Sequence, residues 1–128
     1  MDNRTTRRRG PTQVMAVPEI DLARIRRWVD GRNGRIGEHL DEVRIEMDVD
    51  QRAVTILECR PPWSDQLPPE WSRHPVARVR YTKSTGLWTL YWPDRNGRFH
   101  RYDEVEPTTT LADLLAEIDD DPTCIFWG

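Results

Sequence analysis

Between Ile20 and Val29 the apolar positions recur every three or four residues; from Val43 onward they recur every second residue, and after Thr110 the longer spacing returns. A 3.6-residue period marks a helix with one buried face, and a period of two marks a half-buried strand. The first segment therefore predicts a helix opened by Pro18, with Ile20, Leu22, Ile25, Trp28 and Val29 facing inward, and Gly31, Asn33 and Gly34 ending it. Val43, Ile45, Met47 and Val49 then alternate with Arg44, Glu46 and Asp48. "DQ" at 50–51 reads as a two-residue turn, and "RAVTILECR" returns, which sets Met47 opposite Val54 and Ile45 opposite Ile56.

A second hairpin follows in "VARVRYTKSTGLWTLYW". With "KSTG" as the turn, Tyr81 pairs with Trp88, Val79 with Leu90 and Ala77 with Trp92, apolar on both sides, while Arg78, Arg80, Thr89 and Tyr91 take the other face. The next turn, "PDRNG", leaves two registers open. If residues 93–97 are all loop, Phe99 and Arg101 join Tyr91 on the outer face. If Pro93 belongs to the strand, Phe99 turns inward beside Trp92, and His100 and Tyr102 turn outward. In the last segment Thr110 is an N-cap with Asp113 three residues on, Leu111, Leu114, Leu115 and Ile118 form one stripe, and "DDDP" stops the helix. Ile125, Phe126 and Trp127 are too apolar to dangle and should dock on the body.

The fold class is α+β: an N-terminal helix, a five-stranded, mainly antiparallel sheet (about 43–49, 53–60, 76–82, 87–92 and 98–102) and a C-terminal helix, with the helices in a single layer on one sheet face. Trp28, Ile45, Ile56, Val79, Trp88, Leu90, Trp92 and Leu114 are the expected core. Between the hairpins, the stretch at 60–75 holds Pro61, Pro62, Pro68, Pro69 and Pro75, too many for a regular element. Its tryptophans, Trp63 and Trp71, either pin this loop across the open end of the core or, with His74, form the rim of a groove.

Composition narrows the partners. The 128 residues suit one domain, and a net charge of −3 gives no global pull toward nucleic acid or an acidic membrane. The charge is uneven, because residues 1–17 carry Arg4, Arg7, Arg8 and Arg9 against Asp2. That segment lacks apolar periodicity and is expected to be a disordered basic tail, the folded domain spanning 18–128; it is either a phosphate-touching arm or a plain extension ahead of Met15. No apolar run suits a membrane span or a secretory leader, and Cys59 and Cys124 form no CxxC pair, so a reduced, cytoplasmic protein is expected. A disulfide between the two stays open.

Three blocks, "YTKSTGLWTLYWPDRNGRFHRYD", "RPPW" and the terminal "DPTCIFWG", resemble a family of small bacterial proteins, often actinobacterial, catalogued as domain of unknown function 3024. The resemblance covers roughly residues 18–128. It implies a free-standing single domain and brings neither an activity nor catalytic positions.

The residues themselves supply acids and bases (His39, His74, His100, Glu70, Asp65, Asp94, Asp103) but no pair at a catalytic spacing, no nucleotide-binding loop, and no metal or cofactor motif. No catalytic residue is assigned. The carboxylates of "DDDP" diverge along the chain and read as a solvated helix end. What remains is an Arg/Tyr sheet face: Arg78, Arg80, Tyr91, Arg98, His100 and Arg101. Arginines interleaved with rings suit a single-stranded nucleic acid, through phosphate contacts and stacking, or an acidic protein partner. A non-enzymatic binding domain is the leading reading. The alternatives are a small ribonuclease of the messenger-cleaving toxin type, with arginines on the phosphate and His100 or Tyr91 handling protons, and a purely structural domain whose arginines only cover the sheet.

Overall fold

The computed structural model describes residues 17–128. The expected basic tail falls almost wholly outside them; Val17, counted with it, is buried against the core. In chain order the elements are α1 (Glu19–Ile36), a single 3-10 turn (Gly37–His39), β1 (Arg44–Val49), β2 (Ala53–Arg60), β3 (Ser72–Thr82), β4 (Leu87–Pro93), β5 (Phe99–Arg101) and α2 (Leu111–Asp120). The strands form one antiparallel meander in the order β1-β2-β3-β4-β5. Ile25 and Val29 of α1, the leucines of α2, and Ile45, Ile56, Val79, Trp88 and Leu90 belong to one cluster, so both helices cover the same sheet face. Trp28 and Trp92 are only half buried at its margin.

α1 runs past its expected stop. Gly31 and Gly34 lie inside it, although each costs about 1 kcal/mol relative to alanine in a helix. Tertiary contacts in the last turns offset that cost. The Asn33 amide donates to the Ile45 carbonyl (2.9 Å) and accepts from the Ile45 N–H (2.8 Å), one sheet-like rung between helix and β1. Arg32 pairs with Asp119 of α2 and lies over the Trp127 ring at 3.8 Å. Ile20, assigned to the buried stripe, is instead 64% exposed, because at about 100° per residue it lies roughly 140° around the helix from the buried Ile25.

The β3–β4 register is the expected one: Thr82 faces Leu87, Tyr81 faces Trp88, and Val79 faces Leu90. Gly86 closes the turn at φ +71°, where a side chain would be strained. The β1–β2 register is two residues away from expectation. Arg52 joins the turn, so Met47 faces Ile56 and Val49 faces Val54. The cause is Asp50, whose Oδ1 accepts the N–H groups of both Arg52 and Ala53 at 2.9 Å and so stabilises a three-residue connection. A slip of two leaves every side chain on its expected face.

β3 also begins earlier than expected, at Ser72. Pro75 is tolerated because it lies beside a bulge between Ile56 and Leu57, where β3 is paired to β2 and has no β4 partner. The Thr110 side chain makes no cap; the Thr108 hydroxyl accepts the Thr110 N–H instead (3.0 Å). At the other end of α2, Asp121 takes φ +43° and its carboxylate accepts the N–H groups of Phe126 (3.0 Å) and Trp127 (2.9 Å). This latch docks the terminal rings, with Phe126 buried and its ring 5.0 Å from Tyr102. Cys59 and Cys124 are free thiols.

Candidate functional site

The sheet face away from the helices is open, and its two halves differ. On the β1 side, Arg73 of β3 hydrogen-bonds both oxygens of Asp48 (2.8 and 3.1 Å) and reaches Glu46, while Arg44 lies over the Trp71 ring at 4.0 Å. Those charges neutralise one another and roof the buried Leu57 and Cys59. On the β4 side Arg78 and Arg80 have no acidic partner among the described residues. The register places Ala53, Arg80 and Thr89 in one row across the sheet, and Thr55, Arg78, Tyr91 and Arg101 in the next.

Small Ala53 beside three long side chains leaves a hollow of about 620 Å³, walled by the 50–52 turn, Arg78, Arg80, Tyr91 and Phe99. No carboxylate among the described residues pairs with Arg52, Arg78 or Arg80, whereas Arg44, Arg60, Arg73 and Arg101 each have an acidic neighbour. Arg78 is held in place: its Nε donates to the Thr55 hydroxyl (2.9 Å) and its guanidinium lies 4.0 Å over the Phe99 ring. Both Nη groups remain without a partner among the described residues. A planar fork fixed in this way, with its outer donors open, is prepared for a bidentate anion.

The structure therefore gathers Arg78, Arg80 and Tyr91, and it excludes other residues expected beside them. Arg101 shares the face but leans toward Asp103 (3.7 Å) and Glu106 (3.8 Å) outside the hollow. Arg98 is exposed in the β4–β5 turn. His100 is on the helix side, stacked on Trp92 at 4.7 Å, with Nε2 2.8 Å from Asp94 Oδ2. Neither expected register for this turn is correct as drawn. Pro93 belongs to the strand, yet it faces Phe99, so Phe99 points outward and His100 inward. Asp94 Oδ1 takes the N–H groups of Asn96 (2.8 Å) and Arg98 (3.0 Å), and Gly97 at φ +82° completes a turn that pattern alone does not specify.

The proposed loop rim does not assemble. Trp63 is 88% exposed and pins nothing, Trp71 packs under Arg44 on the open face, and His74 faces Glu58 and borders a separate hollow with Ile125 and Phe126. The arginines converge beside the 50–52 turn instead, at the opposite end of β3 from this loop. Sequence reasoning missed Asp50 and Arg52 as wall residues, and it set Phe99 on this face in one of its two registers; an acidic turn residue flanked by a lone arginine was the available signal.

Several ionisable groups are shifted. Hydrogen bonds from Arg73 hold the Asp48 carboxyl below the usual carboxylate range, and His100 together with backbone N–H groups does the same for Asp94. Burial pushes the Cys59 thiol up, with Glu46 adding to the effect, and burial also raises the Tyr102 phenol, whose hydroxyl donates to Glu117 (2.8 Å). The carboxyls favour the charged form in the fold, so their contribution is present above about pH 4 and lost as pH falls below it. The thiol and phenol favour the neutral form, so theirs is present below about pH 9 and lost as pH rises. Urea unfolding across pH is expected to give a plateau between these limbs. A stability maximum confined to one side of neutrality would contradict it.

An antiparallel meander backed by two helices, with an arginine-walled hollow on its uncovered face, defines the class: a small α+β domain. The sequence matches the family described as Domain of unknown function (DUF3024) over residues 14–128, and the chain belongs to that family. No curated protein and no solved structure matches it. Among the described residues, no helix is long and apolar enough to cross a membrane.

Proposed function

We propose that this protein is a non-enzymatic binding domain that holds single-stranded nucleic acid on the open face of its sheet. One observation carries this reading: Arg52, Arg78 and Arg80 wall a single hollow without a carboxylate partner among the described residues, beside the Tyr91 ring. Guanidinium forks suit phosphodiester oxygens, and a ring beside them suits an unstacked base. An acidic protein of ordinary interface size needs about 800 Å² on each side. Beyond the hollow this face is already neutralised by Glu46, Asp48 and Arg73, which leaves little for such a partner to complement. The histidine form of the ribonuclease reading loses its proton carrier, because His74 and His100 face the helix side and no histidine lines the hollow; Tyr91 and Asp50 do line it, so cleavage of the RNA during the binding assay would move the assignment to a ribonuclease.

The test is fluorescence anisotropy of the full chain with a labelled uridine decamer over a series of salt concentrations. Arg78→Ala/Arg80→Ala should weaken binding and reduce the log–log salt slope by about 0.7 for each phosphate no longer neutralised, hence about 1.4 for the pair. The N-terminal arginines are present in both proteins and cancel in the comparison. Equal affinity at every salt concentration would reject the reading. Loss of a captured acidic protein with nucleic-acid binding unchanged would move the assignment to a protein partner.

A further inference from the structure

Asp50 is the carboxylate in the wall of the hollow, and the turn it belongs to uses only half of it. Oδ1 accepts the two backbone N–H groups, while no donor among the described residues reaches Oδ2. Asparagine would serve such a turn equally well, through its side-chain oxygen, without setting a negative charge among three guanidiniums. For a ligand that offers only phosphate, this carboxylate is a cost, because it repels the anion the arginines attract. The cost reverses for a ligand that carries a hydroxyl donor near its phosphate. In a nucleic acid that group is the ribose 2′-hydroxyl, the feature by which proteins tell RNA from DNA.

We infer that the hollow selects ribose: with a phosphate on Arg78 and Arg80 and a base against Tyr91, Oδ2 of Asp50 accepts a hydrogen bond from the 2′-hydroxyl, and the ligand is single-stranded RNA rather than DNA. This rests on the nucleic-acid reading above and adds a specificity-determining residue to it. Two geometric facts support the role. Asp50 is immobilised, since its N–H also donates to the Ala53 carbonyl (2.9 Å), so Oδ2 is presented without further ordering. The adjoining Arg52 carbonyl accepts the Tyr81 N–H (2.7 Å), which fixes the turn to β3, the strand that carries both phosphate-binding arginines. The carboxylate and the Arg78 guanidinium, itself fixed by Thr55 and Phe99, are thus held on one frame, as discrimination between closely similar ligands requires.

The experiment compares three labelled decamers of one sequence on the full chain: RNA, DNA, and RNA methylated at every 2′-oxygen. The wild-type protein should bind RNA roughly tenfold more tightly than either of the others, the scale of one hydrogen bond to a charged acceptor. Asp50→Asn keeps the turn acceptor and replaces Oδ2 by an amino group. It should bring the RNA-to-DNA ratio close to one while leaving the melting temperature unchanged and DNA affinity equal or higher. The methylated strand makes the same test without altering the protein, so a misfolded variant does not rescue the inference. Equal wild-type binding of RNA and DNA, with both weakened by Arg78→Ala/Arg80→Ala, would overturn ribose selection alone. No binding to any of the three would overturn it together with the nucleic-acid reading.

Discussion

Replacing Trp88 by alanine is expected to lower the unfolding free energy by about 3–5 kcal/mol, a large share of the roughly 5–15 kcal/mol that holds a domain of this size together. Trp88 is fully buried near the start of β4, with its ring 5.1 Å from that of Tyr81. Its indole N–H reaches Asp21 in the first turn of α1 (3.3 Å). Its backbone exchanges two hydrogen bonds with Thr108, at 2.7 and 3.0 Å, which ties down the segment leading into α2. Truncation thus opens a cavity where α1, the sheet and the approach to α2 meet. Trp88→Phe, which keeps much of the apolar volume and loses the indole donor, should cost clearly less. Urea unfolding followed by circular dichroism would measure both. An alanine variant melting within a degree or two of wild type would show that the ring does not carry the core.

Trp88 also marks how far the sequence can be read. Alternation assigns a residue to a face by parity, and parity survives a slip of two residues. It pairs Met47 with the wrong partner and still places it on the correct side; the first of the two registers for the third turn likewise misaligns Phe99 while facing it outward. Register depends on turn length, and at both turns an aspartate sets the length by accepting two backbone N–H groups: Asp50 in one, Asp94 in the other. Those bonds depend on where the side chain lies, and no apolar pattern encodes that. The end of α1 escapes the pattern for a related reason. Gly31 and Gly34 weaken a helix locally, and the Asn33 clasp on Ile45 that outweighs them is non-local.

The candidate site divides along the same line. Arg78, Arg80 and Tyr91 are legible because alternation sets them opposite the core. The hollow is not, because it needs Ala53 beside Arg80 and a turn folded over the pair, both consequences of register. His100 groups with the arginines in sequence because it follows Arg98 and precedes Arg101 in a basic stretch, yet in a strand its neighbours point the other way. Trp63 shows the converse failure. Large rings are usually buried, so two tryptophans in a proline-rich loop suggest anchors, and only Trp71 finds a surface to pack on.

The arginines of the hollow differ in how they are held, and this predicts unequal tolerance to lysine. Arg78→Lys should weaken binding of single-stranded RNA nearly as much as Arg78→Ala, by about tenfold, whereas Arg80→Lys should change it by no more than a few-fold. Arg78 is half-buried, with Nε on Thr55, its guanidinium over Phe99 and its two Nη groups without a partner among the described residues, so it offers a fork that an ammonium cannot reproduce. Arg80 is exposed and lacks such restraints among the described residues, so it acts mainly as a point charge, which lysine retains. Stability separates the two sites as well. A solvated sheet face suggests that losing both arginines should barely move the melting temperature, and this holds for Arg80 alone. Removing Arg78 leaves the hydroxyl of buried Thr55 without its donor and uncovers Phe99, a cost of about 1–3 kcal/mol. Lysine at 78 should recover part of that stability by covering the ring with its stem, without recovering binding. Anisotropy and thermal melts on the four single variants would resolve these effects. If lysine restored binding at 78 as fully as at 80, the fixed fork would have no part in recognition, and the hollow would be a site of diffuse positive charge.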